Sequence, residues 1–177
     1  MNKLFLALLM LIIIGSLIAC TNNEGESEEE ATVQEAVRQV STNEIEDEIL
    51  EDNWDLSSIF EHSVVLENGQ ESYKVVGNQS TLGFTGPLPT VANKTQKYFW
   101  FYFGNETIYD KPVDVKAIKK GEKELIDVFS GTFHKGAELG PGIVNMPSHL
   151  RFPSKGVWKV LVYIDDDLYE SIVVEVE

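Results

Sequence analysis

Three scarcities narrow what this 177-residue chain can do. It holds one cysteine, Cys20, so no internal disulfide can form and the remainder must rely on a packed core. Its three histidines, His62, His134 and His149, include no pair at the i, i+2 or i+4 spacing that holds a metal ion. Positive charge is also thin: 14 Lys and Arg face 29 Asp and Glu, a net charge of −15, and no basic patch shows in the sequence. That balance argues against nucleic acid and against anionic lipid as direct ligands. The Gly-x-Ser-x-Gly, Ser-x-x-Lys, phosphate-loop and His-Glu-x-x-His motifs are absent, which removes the familiar signatures of hydrolases and nucleotide enzymes. A triad assembled in space would escape such a search, so a hydrolase stays as a distant third reading.

What is present falls into three segments. Residues 1–19 read as an export signal, with Lys3 as its charged region, Leu4 to Ile14 as an apolar run too short to span a bilayer with confidence, and small residues Gly15, Ser16 and Ala19 after it. Residues 20–53 are different. From Thr21 to Asn53 twelve acids meet one base, Arg38, and this stretch carries 11 of the 15 net negative charges. The run from Glu24 to Glu30 cannot bury itself and is expected to stay solvated, a disordered acidic tether reaching about 30 Å as a random coil. Within it, Val33, Ala36, Val37 and Val40 fall at helical spacing, which allows a short helix over Thr32 to Val40. The 124 residues from Trp54 to Glu177 are enough for one β-sandwich domain and too few for two.

In that last segment the hydrophobic period is two. Asp55 to Phe60 reads as a capped helical turn with Trp54, Ile59 and Phe60 on its apolar side, and short extended runs follow at Ser63–Leu66, Tyr73–Val76 and Thr81–Phe84, with Asn68-Gly69 as a turn dipeptide. Further strands are expected at Gln96–Phe103, Val113–Ile118, Leu125–Ser130 and His149–Phe152, with Gly131 to Pro147 as a loop rich in glycine and proline. The strongest signal is terminal. Trp158, Val160, Val162 and Ile164 share one face, as do Leu168, Ile172, Val174 and Val176. A two-residue turn would put these sets on opposite faces, so parity predicts a three-residue loop, Asp165 to Asp167, pairing Ile164 with Leu168, Val160 with Ile172 and Trp158 with Val174. Seven to nine short strands define an all-β, immunoglobulin-like antiparallel β-sandwich.

Two stretches offer candidate sites. Gln96 to Phe103 is aromatic on both faces, Tyr98, Trp100 and Tyr102 on one, Phe99, Phe101 and Phe103 on the other. Either this is a central strand covered on its outer side by the Trp54 to Phe60 segment or a loop, or Tyr98, Trp100 and Tyr102 form an exposed binding face for a sugar ring or a partner, or an oligomer interface. His134, Met146 and His149, gathered around one loop, are suited to a soft ion such as copper and give the alternative reading, a metal-handling protein using Phe133 to His149. Asp165 to Asp167 lack the EF-hand pattern and read as an acidic turn.

Leu17-Ile18-Ala19-Cys20 resembles the lipobox of bacterial lipoproteins, a resemblance that implies cleavage before Cys20, lipidation of its sulfur (diacylglycerol with acyl chains such as palmitate) and attachment to the outer face of the cytoplasmic membrane. Lipobox, acidic tether and a β-domain carrying Gly156-Val157-Trp158-Lys159 together resemble uncharacterised surface lipoproteins of Bacillus and its relatives, grouped as a domain of unknown function. The resemblance implies an extracytoplasmic location. The expectation is a non-catalytic binding or envelope-interaction module without a cofactor, its partners the membrane through Cys20 and a cell-wall glycan or another envelope protein.

Overall fold

The computed structural model describes residues 53–177 except 67, 137, 138, 140 and 141. The export segment, Cys20, the acidic tether and the short helix expected over Thr32 to Val40 lie outside the described residues. Among those described there are ten strands and no helix: β1 (Ile59–Leu66), β2 (Gly69–Gly77), β3 (Leu82–Thr85), β4 (Gln96–Tyr102), β5 (Val113–Lys119), β6 (Leu125–Gly131), the two-residue β7 (His134–Lys135), β8 (Val144–Leu150), β9 (Gly156–Ile164) and β10 (Asp167–Val176). They form two antiparallel sheets, a six-stranded one in the order β1-β2-β3-β4-β8-β7 and a four-stranded one in the order β10-β9-β5-β6.

The two sheets face each other as a sandwich because each strand sends alternate residues inward. Phe84, Tyr98, Trp100 and Met146 from the larger sheet meet Val115, Val160, Val162 and Ile172 from the smaller in one buried cluster. A second cluster lies on the opposite face of the larger sheet. There Val64 and Val75, with Phe60, Leu66 and Tyr73 beside them, pack on Phe101. The β1–β2 hairpin reaches that position because β2 pairs with β3 only through Val76–Phe84 and Gly77–Gly83. Two glycines meet at this crossing. A Cβ on Gly77 would stand 2.6 Å from the Gly83 Cα, and one on Gly83 would stand 2.6 Å from a Val75 methyl, so no other residue permits the approach.

The terminal hairpin solves the parity problem by another route than the expected three-residue loop. Ile164 pairs with Asp167, leaving a two-residue turn, and both turn residues have positive φ, 60° at Asp165 and 69° at Asp166. This is the type I′ geometry whose twist matches the flanking strands. A bulge between Leu168 and Glu170 then inserts Tyr169 and restores the phase, so Val160 pairs with Ile172 and Trp158 with Val174. The price is local: Leu168 is 37 % exposed instead of facing Ile164.

Trp54 to Phe60 is extended and not a helical turn. Ser57 bonds to Val173 twice, by its N–H to the carbonyl at 2.9 Å and by its Oγ from the Val173 N–H at 2.9 Å, and β1 begins two residues later. An open strand edge offers such a segment more than a single helical turn does. Trp54 lies over the ammonium of Lys159, 4.5 Å from nitrogen to ring centre. Asn68 sits in the β1–β2 connection, while Gly69 already pairs with Leu66. The expected Gly131–Pro147 loop contains β7 and half of β8. Pro147 is tolerated in a strand because it shares its direction with Ile143, whose carbonyl accepts from Gly136 on the β7 side at 2.8 Å; its missing N–H thus falls beyond the end of β7.

The turn yields a measurable expectation. Asp166→Gly should stabilise the protein by about 0.5–1 kcal/mol and raise Tm by a few degrees, while Asp166→Val should destabilise it by at least about 1 kcal/mol. Equal denaturant midpoints for the two variants would remove the positive-φ argument.

Candidate functional site

Tyr98, Trp100 and Tyr102 are not a binding face. Their exposures are 0 %, 0 % and 8 %, because the β4 register turns them between the sheets. Each polar tip is satisfied internally. Tyr98 donates to Thr90 Oγ1 at 3.2 Å, Trp100 Nε1–H donates to Ser148 Oγ at 2.9 Å, and Tyr102 accepts from the Glu106 N–H at 3.2 Å. Burial pushes the Tyr98 hydroxyl above its ordinary range, with the Thr90 hydrogen bond opposing. On the opposite face Phe101 and Phe103 are covered by the hairpin, while Phe99 is half-buried beneath Lys97. His62 stands edge-on to Phe101 and Phe103 with ring centres at 4.9 and 5.0 Å, and Tyr73 lies 5.6 Å from Phe101.

The proposed copper-type set also comes apart. Met146 is buried in the inter-sheet core, whereas His149, three residues on, is exposed on the other face of β8. His134 pairs with Asn145, four residues from His149 along the strand, a separation of about 13 Å. No group of three or more His, Cys, Asp or Glu side chains placed to hold a metal ion occurs among the described residues. Asp165 is engaged elsewhere, its N–H donating to Pro112 O at 2.9 Å and its carboxylate 3.6 Å from Lys111.

A different surface stands out, at the edge of the smaller sheet. The outer edge of β10 is covered in two places: Ser57 bonds Val173, and Thr90 and Ala92 bond Glu177 at 2.9 and 2.8 Å. Between them lies Glu175. Its main-chain groups point the same way as those of Val173 and Glu177, and the parallel bridge of Thr90 with Val176 brings the Thr90 N–H to the Glu175 carbonyl. Beside this edge lies a groove of 550 Å³ lined by Leu56, Ile59, Val76, Leu88, Pro89 and Val174, together with Glu61, Lys74 and Glu175. Leu56, Ile59 and Leu88 are 55 %, 62 % and 38 % exposed, so three large aliphatic side chains cluster in solvent. The available clue was phase: Ile59 lies opposite to Phe60, Val64 and Leu66, which face Phe101. A smaller cavity of 350 Å³ adjoins His62, Phe101 and Ile143.

A two-sheet β-domain with an apolar groove at one edge is thus the class that fold and surface define. The chain belongs to the family described as Domain of unknown function (DUF4871), whose profile matches residues 45–174. No curated protein matches the sequence. Two of the solved structures to which the chain shows similarity are of low identity. One is a “Putative Lipoprotein from Bacillus anthracis”, 17 % identical, aligned over 74 % of this chain and 91 % of that one with a TM-score of 0.49. The other is a superoxide reductase (neelaredoxin) from Ignicoccus hospitalis, 14 % identical, aligned over 55 % and 80 % with a TM-score of 0.38.

His62 supplies a pH test of the hairpin's packing. Burial lowers its pKa below the ordinary 6.5, so the unfolded chain binds the proton first as pH falls. Its contribution to stability is full above about pH 6.5 and is lost as pH drops toward the lowered folded value. Urea midpoints should therefore fall between pH 7.5 and 5.5, and fall less in His62→Gln; parallel falls in both proteins would contradict the assignment.

Proposed function

We propose that this protein is a membrane-anchored extracytoplasmic lipoprotein whose immunoglobulin-like domain is a non-catalytic binding module, and that the groove beside β10 takes an apolar segment of another envelope protein. The anchoring half of the reading is supported by Leu17-Ile18-Ala19-Cys20 after its apolar run. The binding half is carried by one observation, the clustering of the exposed Leu56, Ile59 and Leu88 around a groove beside β10. Buried aliphatic contact is worth about 1.5–3 kcal/mol per large side chain, enough for two or three anchors to hold a partner segment. A protein segment suits this lining better than a glycan does. Sugar rings stack on exposed aromatic faces, and Tyr98, Trp100 and Tyr102 are committed to the core.

The two halves are tested separately. Cys20→Ala should abolish labelling by radioactive palmitate and shift the protein from the membrane to the soluble fraction; continued membrane retention with unchanged labelling would end the lipoprotein reading. For the groove, peptides selected by display against the full-length Cys20→Ala protein should bind at least about tenfold more weakly to Ile59→Asp and Leu88→Asp, a loss of about 1.4 kcal/mol. Val65→Asp, at an 81 % exposed position on the hairpin, should leave them unaffected. Selected peptides that bind all three variants equally would rule the groove out.

A further inference from the structure

Positive charge is scarce in this chain, yet the fold concentrates some of it. Two long stretches hold no Asp or Glu at all, Ser72 to Asn105 and Leu139 to Ile164. They contain β4 and β8, which are neighbours in the larger sheet. Their register sets Lys97 directly opposite His149, side by side on the outer face with Cβ atoms about 5 Å apart. Arg151 follows two residues beyond His149. The Asn93 N–H donates to Phe152 O at 2.7 Å, which fastens Lys94 to the same corner. All four side chains are exposed. The Lys97 ammonium lies 5.0 Å from the centre of the Phe99 ring, its stem laid along the strand. Glu177, whose carbonyl accepts from Ala92 at 2.8 Å, borders the corner on one side.

We propose that Lys94, Lys97, His149 and Arg151 form a binding site for a linear polyanion with regularly spaced phosphate groups. Net charge does not decide this, because screening limits exposed charges to about 8 Å at physiological salt, and a local cluster is felt as positive within that range. Multiplicity decides the ligand. A single exposed ion pair contributes about 0–1 kcal/mol, so one small anion would not be retained, whereas a chain meeting several cations at once gains from each and releases counterions. The layout also favours a chain. From the Lys97–His149 pair through Arg151 to Lys94 the groups succeed one another along the strand direction over about 10 Å. Arg151 adds the planar fork that grips phosphate by two bonds. A nucleic acid would further need several exposed rings for base stacking, and among the aromatic residues of this strand only Phe99, lying under the Lys97 stem, is partly open.

The experiment is a titration of full-length Cys20→Ala protein with linear inorganic polyphosphate at about 50 mM salt and upward, beside vesicles of phosphatidylglycerol and phosphatidylcholine. Saturable binding to polyphosphate is expected, with log affinity falling against log salt at a slope of about 2, set by three cations. The variant K94A/K97A/R151A should bind at least tenfold more weakly and with a shallower slope. The control K120A/K123A/K135A, with the same loss of charge, should change less than twofold, and thermal melts of both should match the parent. No saturable binding, equal loss in the two variants, or binding to phosphatidylglycerol vesicles with none to polyphosphate would each overturn the proposal.

Discussion

Strand β4 has to be dry on both sides, and the rest of the domain is arranged to meet that requirement. Tyr98 and Trp100 occupy the space between the sheets, while Phe101 needs a second cover on the far face. A sandwich of two sheets supplies only one apolar layer. The second comes from folding a hairpin back across the sheet, with Phe60, Val64 and Tyr73 laid on Phe101 and Phe103. Removing a ring such as Trp100 would cost about 3–5 kcal/mol, a large part of the stability a domain of this size has available. Such a residue cannot also serve as a mobile contact for a ligand, which is why function has to be sought at the edges.

The edges are where the two proposed surfaces lie, and they differ in kind. At β10 the segments held by the Ser57 and Thr90 contacts frame a groove walled by aliphatic side chains. At the β4–β8 corner the surface is polar and cationic. An apolar groove selects by shape, whereas an exposed charged corner adds contacts that salt weakens. The first suits a specific protein segment and the second a repetitive polymer.

What the sequence disclosed follows from how far each signal reaches. Strand periods and the inner faces of β9 and β10 were legible because alternation is local, and Val160–Ile172 and Trp158–Val174 pair as the pattern requires. The turn between them was not, since an odd loop and a bulge restore the same parity and only the backbone decides. The aromatic run announced a central strand, but the cover on its second face comes from a hairpin that begins nearly forty residues earlier. Leu56, Ile59 and Leu88 look like ordinary surface aliphatics until the fold gathers them. Lys97 and His149 are likewise distant in the chain and adjacent only through the β4–β8 ladder.

The crossing of Gly77 and Gly83 has a mechanical meaning. Two residue pairs are the whole seam between β2 and β3, and beyond them the hairpin is held to β4 by rings and methyl groups, not by a ladder. Ladders fail together, whereas packed side chains can separate without disturbing the sheet beneath. The domain is therefore built as a stiff body carrying a flap stitched at two short hems, the Gly77–Gly83 crossing and the Ser57–Val173 bonds, and a load applied to the flap would be borne by those hems before it reached the sandwich.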